Sequence, residues 1–248
     1  MGSPASLLRG RSLSPHGRGS SPNREDPLSD ILLHEVSIVL VAYLVGAIPF
    51  SYLVAHWRAG IDIYEHGEGN VGARNVYHVV GPTWGVLAGA LDTGKGLVAY
   101  LLADRLAIHP AAVLLCGFAA PLGHNFSPFL RFRGGKGVAA TLGFLLGFLP
   151  YSTLAGVAWI GLLYLRTHDL NKALNFGIPA VILLPPVFGA GWWLPIYVLF
   201  LFLSLAVKKI MDCAHEQAVW ARDPWQNGRP GFHSEPADNT NGQATTYP

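Results

Sequence analysis

Residues 110–150 read PAAVLLCGFAAPLGHNFSPFLRFRGGKGVAATLGFLLGFLP, and this stretch decides the fold. Its first half, residues 110–130, is an apolar run long enough to cross a bilayer, which takes roughly twenty residues. A second apolar run begins at Val138. Between them stand His124, Asn125, the cations Arg131, Arg133 and Lys136, and the small residues Gly134, Gly135 and Gly137. A basic, glycine-rich turn between two apolar runs lets backbone amides and side-chain cations meet an anion at the rim of a membrane.

Working outward, the same alternation continues. Apolar runs fall at 36–57, 83–103, 110–130, 138–165, 173–188 and 192–207. The fourth is too long for one straight span and carries Pro150 at its middle, so it reads as two helices meeting there. The sequence therefore predicts an all-α, polytopic integral membrane bundle of about seven transmembrane helices. Residues 1–30 are rich in Ser, Pro, Gly and Arg, and residues 216–248 in Pro, Gly, Asn and Thr. Both read as disordered extensions around a membrane domain at 31–215.

Composition agrees. Of 248 residues 51% are hydrophobic and 13% charged, where soluble domains carry roughly 25% charged residues. A formal net charge of +2, with the charges few and dispersed, argues against nucleic acid as a partner. Cys116 and Cys213 match no zinc spacing and read as free thiols, so no metal or cofactor is expected. With seven spans, Arg58, Arg74, Arg131, Arg133, Lys136, Arg166, Lys172, Lys208, Lys209 and Arg222 share one side, and Arg105 lies on the other. The positive-inside rule makes the first side cytoplasmic, with the C-terminus inside.

Three constellations bear on chemistry. The loop at 60–81, GIDIYEHGEGNVGARNVYHVVG, offers Gly69, Asn70, Gly72, Arg74 and Asn75 as an anion nest, or simply a tight interfacial turn. Arg131, Arg133 and the 134–137 GGKG turn precede an apolar helix whose N-terminus favours anions, and three glycines around one lysine exceed what a topogenic signal needs. Here His124 is either a general base or phosphate donor, or an interfacial packing residue. Asp92 and Lys95 are opposed charges at i, i+3 inside an apolar run, either a structural ion pair or a substrate contact. GALDTGKG at 89–96 nearly spells a phosphate-binding NTPase loop, but lacks the Ser or Thr and the preceding strand.

At these residues the chain resembles the bacterial membrane glycerol-3-phosphate acyltransferases that use acyl-phosphate donors, the PlsY type. The resemblance runs over 36–209 through GAIPFSYLVA at 46–55, GIDIYEHGEGNVGARNV at 60–76, D-x-x-K-G at 92–96 and GHNFSPFLRFRGGKGVAATLG at 123–143. It implies a seven-helix inner (plasma) membrane enzyme with cytoplasmic site loops. The implied reaction moves a fatty acyl group from acyl phosphate to the 1-hydroxyl of sn-glycerol 3-phosphate, giving lysophosphatidic acid. It implies Lys136, His124 and Asn125 as catalytic residues. Gly69, Asn70, Gly72, Arg74, Asn75, His78, Arg133, Gly134, Gly135 and Gly137 are the implied substrate-binding residues. An activated acyl phosphate needs no metal and no Ser–His–Asp triad.

The chain departs from the family pattern at named places. Glu68 stands at the family's serine, Arg74 at its threonine and His78 at its arginine. A third motif, His and Asn separated by two residues after the last helix, is not recognisable, and Lys208-Lys209-Ile210-Met211-Asp212 stands where it is expected. These departures define a second reading, a non-catalytic member that binds a phosphorylated ligand or lipid, or regulates a true acyltransferase. A small transporter, the third reading, rests on helix count and the Asp92/Lys95 pair alone.

Overall fold

The computed structural model describes residues 27–222; the two terminal segments at 1–26 and 223–248 lie outside it. Among the described residues the chain is helical, with no strand. The helices are α1 (Pro27–Ala47), α2 (Phe50–Ala59), α3 (Ala73–Val79), α4 (Pro82–Leu106), α5 (Pro110–Asn125), α6 (Val138–Phe148), α7 (Pro150–Thr167), α8 (Leu170–Leu183) and α9 (Leu194–Arg222). Proline opens α4, α5 and α7, where its missing N–H costs nothing and its fixed φ suits a first turn. The break expected near Pro150 is present: α6 stops at Phe148 and α7 starts at Pro150.

Three boundaries differ from the sequence expectation. The run at 36–57 is two helices, because the chain breaks at Ile48-Pro49 before restarting at Phe50. Helix also extends past both ends of the 31–215 domain, to Pro27 and to Arg222. Against an expectation of about seven spans, four stretches are long and apolar enough to cross a bilayer: Pro27–Ala59, Pro82–Leu106, Pro110–Leu130 and Leu194–Arg222. Val138–Phe148 and Leu170–Leu183 are apolar but shorter.

Helices pair as α1 with α5, α4 with α6 and α7 with α8, while α9 leans on α5, α6 and α8. In lipid, where apolar burial gives little net drive, such pairs depend on close packing of small residues. Gly46 of α1 lies so near α5 that a Cβ would sit 2.0 Å from the Ala120 carbonyl oxygen, and Gly96 of α4 meets the Ala140 carbonyl oxygen of α6 at the same distance. Large apolar side chains such as Leu40, Leu115 and Leu203 point outward and are exposed, as lipid-facing residues are.

The Pro49 break has a chemical use. The Ile48 carbonyl at the break accepts a hydrogen bond from Lys95 Nζ at 2.7 Å. Ser51, just past the break, donates to Asp92 Oδ2 at 2.6 Å. Asp92 Oδ1 lies 2.8 Å from Lys95 Nζ, and both side chains are 1% exposed, so this charge pair is closed within the bundle. GALDTGKG accordingly forms part of α4 rather than a loop.

Candidate active site

Two loops and the end of α9 converge at one end of the bundle. The first loop is built around Asn75. Its side-chain nitrogen donates to the carbonyls of Ile63, His66 and Asn70 at 3.0, 2.8 and 3.0 Å, and its oxygen accepts from the Glu68 N–H at 2.9 Å. Asn70 is likewise turned inward, donating to the Glu68 carbonyl and carboxylate at 3.3 Å. Gly69 takes φ +65°, a left-handed conformation suited to glycine, and its Cα side faces Glu216 and Val219 of α9. Asn70 and Asn75 thus hold the loop's shape, Asn75 through the loop backbone and Asn70 through the Glu68 carbonyl and carboxylate.

The second loop is pressed onto the end of α5. The Gly135 N–H donates to the His124 carbonyl at 3.3 Å. The His124 ring is buried, with Nδ1 3.6 Å from Asp92 Oδ1. Asn125 is fully buried under Gly137, and neither its amide nitrogen nor its oxygen has a hydrogen-bond partner among the described residues. His124 and Asn125 therefore lie behind the loop, off the wall of the main cavity. Gly137 takes φ +76° and hands the chain into α6. Arg133 turns away, stacking over Tyr64 at 5.3 Å and pairing with Glu65 at 3.9 Å, beside a smaller cavity of about 270 Å³ that Arg131 also lines.

A larger cavity, about 990 Å³, opens between the loops, the α7–α8 turn and α9. Of the residues expected to act, Lys136, Arg74 and His78 line it, together with Glu68. Lys136 Nζ lies 3.0 Å from Glu216 Oε1 and 3.7 Å from Glu68 Oε2. Arg74 Nε lies 3.0 Å from Glu68 Oε1, and its Nη1 donates to Asn171 Oδ1 at 2.5 Å. Asp169 caps α8 through the backbone N–H groups of Lys172 and Asn171, which hold its carboxyl below the usual range. The helical spacing of α9 brings Lys209, Cys213, Glu216, Gln217 and Trp220 to the cavity wall. Sequence reasoning passed over this face, although residues at 209, 213, 216 and 220 already carry the 3-and-4 spacing of a helix stripe.

The place where the third motif was sought, 208–212, is mid-helix. There Lys208 pairs with Asp212 and lies over the Phe126 ring. His215 is nearer the helix end, stacks on Tyr64 with ring centroids 4.0 Å apart, and donates from Nε2 to the Tyr64 carbonyl at 3.0 Å. Three residues on stands Ala218, so a histidine is present without the asparagine.

His78 is held against protonation. Burial first, then the nearby Arg74 charge, pulls its pKa below the usual value near 6.5, with Glu68 opposing. Because the folded value is the lower one, charging His78 favours unfolding. Its penalty is absent above about pH 6.5 and grows as pH falls below that. In detergent, the melting temperature of wild type should therefore fall more than that of His78→Gln between pH 7 and pH 5. Parallel pH curves for the two proteins would contradict this.

The geometry defines an integral membrane helical bundle carrying a charged, loop-walled cavity at one end. Comparison with known proteins gives the family: residues 36–218 match the glycerol-3-phosphate acyltransferase family model, and the chain belongs to that family. A glycerol-3-phosphate acyltransferase of Desulforudis audaxviator is 40% identical over 174 residues, covering 70% of this chain and 87% of that protein. One from Geobacter sulfurreducens is 45% identical over 127 residues, 51% of this chain and 65% of its own. The crystal structure of PlsY (YgiH), an integral membrane glycerol 3-phosphate acyltransferase, in its glycerol 3-phosphate form aligns with TM-score 0.66 at 27% identity, over 77% of this chain and 95% of that one.

Proposed function

We propose that this chain transfers a fatty acyl group from acyl phosphate to the 1-hydroxyl of glycerol 3-phosphate, releasing lysophosphatidic acid and inorganic phosphate. The observation that carries the proposal is Lys136, presented into a cavity by a glycine-rich loop at the start of α6, with Arg74 lining the same cavity and sharing Glu68 with it. The cavity is at the upper end of the roughly 300–1,000 Å³ usual for small-molecule clefts. In the reaction the acceptor oxygen attacks the acyl carbonyl, the carbonyl–phosphate C–O bond breaks, and phosphate leaves with the electron pair. The hydroxyl proton is released to phosphate or water. Lys136 and Arg74 attract the anionic groups, and holding both reactants at the membrane face supplies much of the rate. The concentration of Lys and Arg at the cavity end supports placing that end on the cytoplasmic side of the inner membrane.

The test is phosphate release by purified protein given palmitoyl phosphate and glycerol 3-phosphate, with lysophosphatidic acid identified by mass. Lys136→Ala should lower kcat/KM by several hundredfold, within the ~100–1,000-fold range for removing one oxyanion donor, because it takes away the cation that the glycine-rich loop presents. No release above a protein-free control would overturn the proposal. Glycerol 3-phosphate binding without turnover would support the non-catalytic reading.

A further inference from the structure

The charge inside the main cavity is unusual for a site that takes phosphate. Arg74, Lys136 and Lys209 supply three cations, and Glu68, Asp169 and Glu216 supply three carboxylates. A phosphate dianion entering such a wall meets little net attraction unless one carboxylate gives up its cation.

The two carboxylates on Lys136 are not equivalent. Glu68 is anchored several times: by Arg74 Nε at 3.0 Å, by Asn70 Nδ2 at 3.3 Å, and through its own N–H held by Asn75 at 2.9 Å. Among the described residues Glu216 forms one ion pair, with Lys136 at 3.0 Å. Its Cα packs closely against the first loop, since a Cβ at Gly69 would lie 3.1 Å from it. Glu216 is thus the less anchored of the two carboxylates, resting on the cation that the glycine-rich loop presents.

We propose that Glu216 is a specificity-determining residue that acts as a resident competitor for Lys136, so that an anionic ligand binds only by displacing it. The proposal rests on the cavity being the anion site of the reading above. It goes further by assigning Glu216, a residue outside the family motifs found here, the control of how strongly the site favours phosphorylated over uncharged acceptors. Glu216→Gln keeps the shape and removes the charge. Lys136 then faces the cavity with Glu68 alone, and phosphate affinity rises.

The experiment measures binding of inorganic phosphate to the purified full chain by calorimetry, for wild type, Glu216→Gln and Glu216→Ala. Both variants should bind phosphate about tenfold tighter than wild type, with a steeper salt dependence. Adding Lys136→Ala should cancel the gain in either background. With palmitoyl phosphate as donor, Glu216→Gln should lower KM for glycerol 3-phosphate while KM for glycerol stays unchanged. A merely structural role would lower stability or kcat without improving phosphate affinity, and that outcome overturns the proposal. Unchanged or weaker phosphate binding in Glu216→Gln overturns it as well. Because phosphate binding needs no turnover, failure of the acyl-transfer assay bears on the activity and leaves this readout intact.

Discussion

Replacing Lys95 by methionine is expected to destabilise the folded protein by about 3–5 kcal/mol, the cost of leaving one member of a buried ion pair uncompensated. Lys95 and Asp92 are each 1% exposed, and their 2.8 Å contact sits between α4 and the α1–α2 break. Removing the ammonium leaves Asp92 with Ser51 Oγ at 2.6 Å and, 3.6 Å away, His124 Nδ1. It also strips the Ile48 carbonyl of its hydrogen bond from Lys95. The damage should reach the site, because the same His124 supports the glycine-rich loop through its carbonyl. Thermal unfolding in detergent measures the effect. Combining Lys95→Met with Asp92→Asn should recover most of the loss, since no net charge then remains buried and Ser51 keeps an acceptor. A single variant that loses less than about 1 kcal/mol, the scale of an exposed pair, would mean that water reaches the pair.

How much of this was readable depended on whether a residue's type admits one role or two. Apolar run length and Pro150 fixed the bundle and the α6–α7 break, because lipid demands continuous helix and proline interrupts it. Pro49 carried the same signal, but the surrounding run at 36–57 is apolar on all faces, so no change of periodicity marked the break. At the C-terminal end, residues 216–222 fall in a segment read by composition as an extension, and α9 continues through them to bring Glu216, Gln217 and Trp220 to the cavity wall. The glycines and Lys136 stand out in the sequence for the anion chemistry of their loop, and the fold puts Lys136 on the cavity wall. Asn70 and Asn75 do not, since an amide serves a phosphate and a loop carbonyl equally well and only the fold decides. His124 is the same case: its type admits a base, a phosphate donor or a packing residue, and the fold buries its ring beside Asp92, off the wall of the main cavity.

Gly135→Ala should lower phosphate release more than a hundredfold, the largest loss expected from a single methyl group in this chain. A Cβ on Gly135 would lie 2.3 Å from His124 Nε2 and 2.4 Å from the Val71 carbonyl oxygen. Neither neighbour can yield cheaply. The His124 ring is buried beside Asp92, and Val71 belongs to the first loop, whose backbone Asn75 pins at several points. The added methyl must therefore drive the second loop outward and carry Lys136, the next residue, away from Arg74 and Glu68. A displacement of about 1 Å in such a group is enough for a ~100-fold loss of rate, and separation from the Gly135–His124 hydrogen bond adds to it. Gly94→Ala is the control: nothing lies within 4 Å of its Cβ position, it sits inside α4, and alanine there favours the helix by up to about 1 kcal/mol. That variant should keep wild-type turnover and melt no lower. If Gly135→Ala turned over within threefold of wild type, Lys136 would not depend on the tight seat between His124 and Val71, and the phosphate would have to be held elsewhere in the cavity.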